Sequence, residues 1–192
     1  MQQRDDMALD MEAETSFPTI VSATSSQMRG GILERDILAE RADLDRAIAG
    51  QTLCTALARM AELRADEEAL TWTAAGSDLE ALTWHRYREQ VRNFALGLRV
   101  LGVAPGSFGV ILTRNRPEHV IASHGLVHAL GTPVGLYPAL APAQVSYIAD
   151  HCAVWVAVVE AAFLPLLRTI RPALPTLEWV VVVGESDGAP RP

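Results

Sequence analysis

Three histidines and one short polar run hold most of the chemistry this chain could offer. His119, His124 and His128 are spaced to share one helix. His124 and His128 are four residues apart and could reach one metal ion from a single helix face. Against a metal site, no carboxylate stands between them as in an HExxH helix, and no third ligand is evident. Immediately upstream lies Asn115-Arg116-Pro117-Glu118. This run follows an apolar strand, so in an open parallel sheet it would sit at the ligand-binding carboxyl edge. The competing reading is local, and the spacing favours it: an Asn-x-x-Glu capping box with proline in the first helical turn. Downstream, Gly131, Gly135, Tyr137 and Pro138 surround the end of another expected strand. Gly131 reads as the stop of the preceding helix. Tyr137 either lines a pocket or packs.

Missing residue types narrow the chemistry further. All 16 basic residues are arginine, so the 192-residue chain has no lysine. It can form no Schiff base and has no P-loop lysine to hold phosphates. There is no GxGxxG, Walker A or GxSxG run, and Ser, His and Asp show no triad spacing. Any catalysis must rest on Arg, His, Asp or Glu. Cys54 and Cys152 have no CxxC partner and read as reduced thiols of a cytoplasmic protein. The net charge of −7 argues against nucleic acid or an anionic membrane as an obligate partner. With 49% apolar residues, a packed core is expected. The start, MQQRDDMALD, has no basic and apolar secretory pattern. The longest apolar stretches, Gly125–Val145 and Ala153–Leu167, are interrupted by Pro133, Pro138, Pro142, Glu160 and Pro165. Neither reads as a membrane span of about 20 apolar residues.

The elements that must position these residues follow from periodicity. Residues 1–30 read as a disordered leader in which Met7, Met11 or Met28 could be the true start. An α/β domain is expected over 31–184, with a linker-like tail over 185–192. A charged surface helix covers 32–49. Thr52 caps a helix running to Leu63. Glu68–Thr73 and Leu79–Leu82 form a hairpin around a turn at 75–78. From Thr83, Trp84, Tyr87, Val91, Phe94, Ala95, Leu98 and Leu101 recur three or four apart, and Gly102 ends the helix. That aromatic stripe reads as core rather than as a stacking surface. Four apolar runs follow: Phe108–Leu112, Thr132–Leu136, Val154–Val159 and Trp179–Val183. They lack alternation, as strands buried on both faces of a parallel sheet do. Helices over Arg116–Leu130, Pro142–His151 and Ala161–Ile170 separate them and supply right-handed crossovers.

Residues Gln51–Glu160 resemble the N-terminal part of AMP-forming acyl-CoA synthetases, the adenylate-forming superfamily. The carriers are ordered segments: DEEALTW, ALTWHRYREQVRNFALGLRVLGV, APGSFGVILTRNRPEHVIA and GTPVGLYPALAPAQVSYIADHCAVWVAVVE. The resemblance as a whole covers about residues 44–183. LDRAIAGQT and the "G-x-Y-P … Q-V-x-Y-I" pattern are similar to the long-chain fatty acyl subgroup. Two places depart from the family pattern. Gly106-Ser107-Phe108-Gly109 stands where Gly-Asp-Arg-Val is usual, and His119 stands where Trp follows Pro-Glu.

The resemblance implies a mostly parallel sheet flanked by helices, the first subdomain of the adenylate-forming N-terminal domain. It implies a ligase that joins a fatty acid to CoA through acyl-AMP, using ATP and Mg²⁺. It also implies that the ATP-phosphate loop, ending in Pro-Lys, and the C-terminal domain with its catalytic lysine would follow beyond Pro192. No catalytic, cofactor-binding or metal-binding residue is therefore assigned here. The expected protein is an inactive N-terminal fragment, cytoplasmic or peripheral to a membrane, binding no cofactor tightly alone. Its sheet would be partly bare where the missing portion packs, so low stability or aggregation is expected. The alternative is a stand-alone α/β module that binds an acyl or nucleotide ligand or complements a separately encoded half.

Overall fold

Apolar residues in runs, not in alternation, build strands that must be covered on both sides. The computed structural model describes residues 37–73 and 79–184 and shows that arrangement. The expected leader, the hairpin turn and the tail over 185–192 lie outside the described residues. The chain divides into two units, Met1–Ala49 and Gly50–Pro192. The described part of the first contains one helix, α1 (Ile37–Ala47).

The second unit begins with α2 (Leu53–Leu63). Thr52 caps it reciprocally with Thr55: the Thr52 hydroxyl accepts from the Thr55 N–H at 3.1 Å, and the Thr55 hydroxyl accepts from the Thr52 N–H at 2.8 Å. A hairpin follows, β1 (Glu68–Thr73) antiparallel to β2 (Leu79–Thr83). Thr83 then caps α3 (Trp84–Val100), accepting from the Arg86 N–H at 3.3 Å. Tyr87, Val91, Ala95 and Leu98 are buried on α3, so its apolar stripe is core.

The main sheet is parallel throughout, in the order β4-β3-β5-β6. Its strands are β3 (Phe108–Leu112), β4 (Thr132–Gly135), β5 (Val156–Glu160) and β6 (Trp179–Val183). The helices α4 (Pro117–His128), α5 (Pro142–His151) and α6 (Leu164–Ile170) lie between them in sequence. Strand pleating sorts the buried side chains by parity. Ile111, Val156 and Val158 pack with Ala95, Leu98, Ala122 and Leu126 of α3 and α4. Val110, Leu112, Ala157 and Val159 pack with Val145, Ala149, Leu167 and Ile170 of α5 and α6. Helices therefore cover opposite faces, as expected of the fold class. The chain runs from β3 out to β4, then returns past β3 to β5. Strand order reverses there, which makes the carboxyl ends of β3 and β5 a topological switch point.

Three helices end in the same Schellman motif. After α3, the N–H of Val103 donates to Leu98 O at 3.0 Å, with Gly102 left-handed at φ 94°. After α4, Gly131 donates to Leu126 O at 2.8 Å, with Leu130 at φ 65°. After α5, Val154 donates to Ala149 O at 3.1 Å, with Ala153 at φ 48°. Gly131 was expected to end α4, but it stands one place late, and Leu130 takes the left-handed position. Gly131 fills a tight spot, because a Cβ there would lie 3.0 Å from Ser107 O. A left-handed non-glycine residue costs about 1–2 kcal/mol, partly offset by the unfolded-state entropy of glycine. Leu130→Gly and Ala153→Gly are each expected to stabilise the fold by about 0.5–1 kcal/mol. Urea denaturation checks this, and an unchanged or lowered midpoint for both counts against it.

Candidate functional site

The switch point dictates where to look. The loop leaving β3, Thr113-Arg114-Asn115-Arg116, and the last residue of β5, Glu160, meet at that edge. Glu160 closes an otherwise apolar buried strand and is itself 4% exposed. A carboxylate so placed needs partners. It accepts the Arg114 backbone N–H at 2.9 Å and the Arg114 Nε–H at 2.9 Å, and a second guanidinium nitrogen bonds the same carboxylate. Arg116 Nη1 stands 3.6 Å from Glu160 Oε1. Arg116 also makes a two-pronged pair with Glu118, at 2.7 and 2.8 Å. The Arg114 hydrogen bond holds the Glu160 carboxyl below the usual range, and the Arg116 hydrogen bond does the same for Glu118.

Three clefts open at this edge, one of about 340 Å³ and two larger ones. One, about 700 Å³, is lined by Trp72, Gln90 and the two ion pairs, with Glu80 opposite. The other, about 570 Å³, lies over the ends of β3 and β4 and is lined by Thr113, His119 and Tyr137. Asn115 lines both. Thr113 is buried, and its Oγ1 lies 2.9 Å from His119 Nδ1. Nε2 of the same ring points toward Gly135, where an added Cβ would sit 3.8 Å from it. Burial pushes the His119 pKa down, so the ring is neutral at pH 7.

The residues singled out from sequence are distributed differently from the capping-box expectation. Asn115 is not the N-cap. Arg116 holds that position, extended at φ −154° and ψ 157°, and no side chain caps the helix. Pro117 at the first helical position explains the shift, because a residue before proline is forced out of the helical region. Glu118 holds Arg116 instead of closing a box. The three histidines go to three separate partners. His119 meets Thr113, His124 Nδ1 bonds the Tyr87 hydroxyl, and His128 Nδ1–H donates to His124 O at 2.8 Å. Burial lowers the His124 pKa and pushes the Tyr87 phenol up to about 12. Among the described residues, no group of three His, Cys, Asp or Glu could hold a metal ion. Tyr137, left open between packing and pocket, is 70% exposed and lines the cleft of about 570 Å³ with Gly135 and Pro138. Arg114, Thr113 and Glu160 were not selected from sequence. A single carboxylate ending an apolar run such as VWVAVVE was the available signal.

The matching family model is that of the AMP-binding enzyme, over residues 57–191. The chain belongs to the AMP-binding enzyme family. It is 31% identical to an uncharacterised protein of Mycobacterium tuberculosis over 81% of this chain and 83% of that one. It is 30% identical to a long-chain-fatty-acid–CoA ligase of Drosophila melanogaster, over 75% of this chain but 22% of that enzyme. Among solved structures it is similar to the anthranilate CoA ligase AuaEII in complex with anthranoyl-AMP. The TM-score is 0.63 at 31% identity, covering 68% of this chain and 24% of that one. The fold is that of the first α/β subdomain in the N-terminal domain of adenylate-forming enzymes. The chain spans about a quarter of the length of the ligases it matches.

An AMP-binding enzyme needs cations around phosphates. The cleft of about 700 Å³ does not offer them. Its two guanidiniums, Arg114 and Arg116, are already held by Glu160 and Glu118, and Glu80 adds a further carboxylate. Three carboxylates against two guanidiniums leave one net negative charge, and the chain has no lysine to add. The residues present do not fit a triphosphate. Nor do they fit Mg²⁺, since Glu118 and Glu160 already have arginine partners. No helix among the described residues is long and apolar enough to cross a membrane.

Proposed function

We propose that this chain forms the first structural subdomain of an AMP-dependent fatty acyl-CoA ligase and contributes scaffold rather than a self-sufficient catalytic site. The observation that carries this reading is the self-neutralised carboxyl edge. Arg114 and Arg116 stand at the topological switch point yet are spent on Glu160 and Glu118. The activity that joins a fatty acid to CoA through ATP then depends on polypeptide beyond this subdomain. The long-chain assignment draws on the sequence pattern around Tyr137-Pro138 and on the likeness to the Drosophila ligase.

Two measurements test this. Titration calorimetry of the chain with Mg-ATP should show no saturable heat. A chimera in which this chain replaces the matching quarter of the Drosophila ligase should release pyrophosphate with ATP and a long-chain fatty acid. Saturable ATP binding by the chain alone would overturn the scaffold reading. A folded chimera without activity would overturn the ligase assignment, and activity confined to short acids would overturn the long-chain one.

A further inference from the structure

The cleft over the carboxyl ends of β3 and β4 holds one histidine whose outer nitrogen has no partner among the described residues. Thr113 is 3% exposed, so its hydroxyl proton needs an acceptor inside the protein. Among the described residues, its side chain makes one hydrogen bond, to His119 Nδ1 at 2.9 Å. Two proton placements fit that distance. With the proton on Nδ1, the hydroxyl accepts it, and the hydroxyl's own proton is left buried without an acceptor, which is costly. With the hydroxyl as donor, both groups are satisfied, and the neutral ring carries its proton on Nε2. Burial of the ring lowers the His119 pKa and favours the same neutral form. Nε2 faces Gly135, where a Cβ would sit 3.8 Å away, so the missing side chain keeps the approach open.

The rest of the cleft is mostly apolar and without net charge. Leu136, Pro138 and Ala139 line it, and Leu136 is held in place by its N–H bond to Ile111 O at 2.9 Å. Arg114 is the one charged residue of the lining, and Glu160 neutralises it. A fixed N–H in such a place selects its ligand. A carboxylate would lose its hydration with no free cation in return. A hydrocarbon would leave the Nε2–H unpaired. A peptide group would bring a donor of its own toward apolar walls, beside a hydroxyl and an Nδ1 already bonded to each other. We propose that this cleft binds a small uncharged ester or ketone whose carbonyl oxygen accepts the His119 Nε2–H, and that Thr113 is the positioning residue for that donor. The volume, about 570 Å³, suits a small molecule. The site stands apart from the ligase reading, because it needs neither ATP nor polypeptide beyond this chain.

Long-range nitrogen–proton NMR of the whole chain at neutral pH is the first measurement. It should find the His119 proton on Nε2, with Nδ1 shifted by an accepted hydrogen bond. Thr113→Val should abolish that Nδ1 shift, and Thr113→Ser should keep it. Methyl butyrate should then move the Nε2 resonance saturably, with a dissociation constant on the order of 1–10 mM for so small a ligand. Butyrate, nearly the same shape but charged, should bind at least about tenfold more weakly. His119→Phe should abolish ester binding, and Thr113→Val should weaken it about threefold or more. Circular dichroism checks that the variants fold, and the comparison of ester with carboxylate needs no variant. A proton on Nδ1 overturns the proposal. So does an ester that gives no saturable shift, butyrate binding as tightly as the ester, or unchanged ester binding in folded His119→Phe. If neither probe binds and a polypeptide carrying the rest of a ligase buries His119, the cleft is a packing surface and the proposal is wrong.

Discussion

Gly109→Ala is expected to destabilise the second unit by about 2–3 kcal/mol, a larger loss than most single-methyl additions cause. A Cβ at Gly109 would lie 2.6 and 2.8 Å from the two methyls of Leu126 and 3.0 Å from Val156 Cγ1. Leu126 is fully buried and sits between the sheet and α3, so it has little room to turn. The family pattern has valine at the position of Gly109. Here the glycine opens a space on β3 that the Leu126 side chain occupies. The two positions should therefore be coupled. Leu126→Ala alone should cost about 3 kcal/mol by leaving a cavity. Gly109→Val with Leu126→Ala should cost less than the two singles added together. Gly97→Ala is the control, since nothing lies within 4 Å of a Cβ on that exposed α3 position, and it should stabilise by about 0.5–1 kcal/mol. Urea denaturation of these variants, with the Gly109→Val single to complete the cycle, decides it. A fully tolerated Gly109→Ala, or strictly additive costs for the pair, would sink the packing account.

The order of elements was readable because each signal was local and physical. Thr52 and Thr83 carry hydroxyls that cap helices, and both do. The run Phe108–Leu112 has no alternation, which is what burial on both faces demands, and its strand has those bounds. The α5 helix begins at Pro142, where proline's fixed φ suits the first turn, and ends at His151 as expected. Helix ends were read less well where a neighbour outweighed the local rule. Glycine is the cheapest left-handed residue, yet after α4 the left-handed turn falls on Leu130. Contact with Ser107 O reserves the glycine for the next position. Sequence spacing does not register such long-range crowding.

The candidate site was only half legible. The polar loop after β3 was placed at the sheet's carboxyl edge because strand order and edge chemistry follow from the βαβ rhythm. Which residues meet there was not. Arg114 and Glu160 are 46 positions apart, and only the adjacency of β3 and β5 brings them together. The histidines illustrate the converse. Helical spacing places His124 and His128 on one face, but Tyr87 of α3 takes one ring and a helix carbonyl takes the other. Spacing tells which residues could share a ligand, and the packing of α3 on α4 decides what they bind instead.

Glu160→Gln should lower stability at pH 7 by about 2 kcal/mol, because it leaves the Arg114 N–H and two guanidiniums facing a neutral amide. It should also remove part of the chain's acid sensitivity. Glu118 and Glu160 have depressed carboxyl pKa values in the fold. Their contribution is therefore complete above the unfolded carboxyl value of about 4.3 and lost as pH falls through the folded values. His119 and His124 are also depressed, by burial. Their contribution is complete above the unfolded value of about 6.5 and falls away below it. Acid should thus weaken the chain in two stages, the histidines first and the carboxylates second. In Glu160→Gln the first stage should persist and the second should shrink, so that the two stability curves converge in strong acid. Melting temperatures followed from neutral pH to about pH 3 would show this. Parallel curves over the whole range would mean that Glu160 makes no ionised pair at the switch point. The self-neutralised edge, on which the scaffold reading rests, would then have to be abandoned.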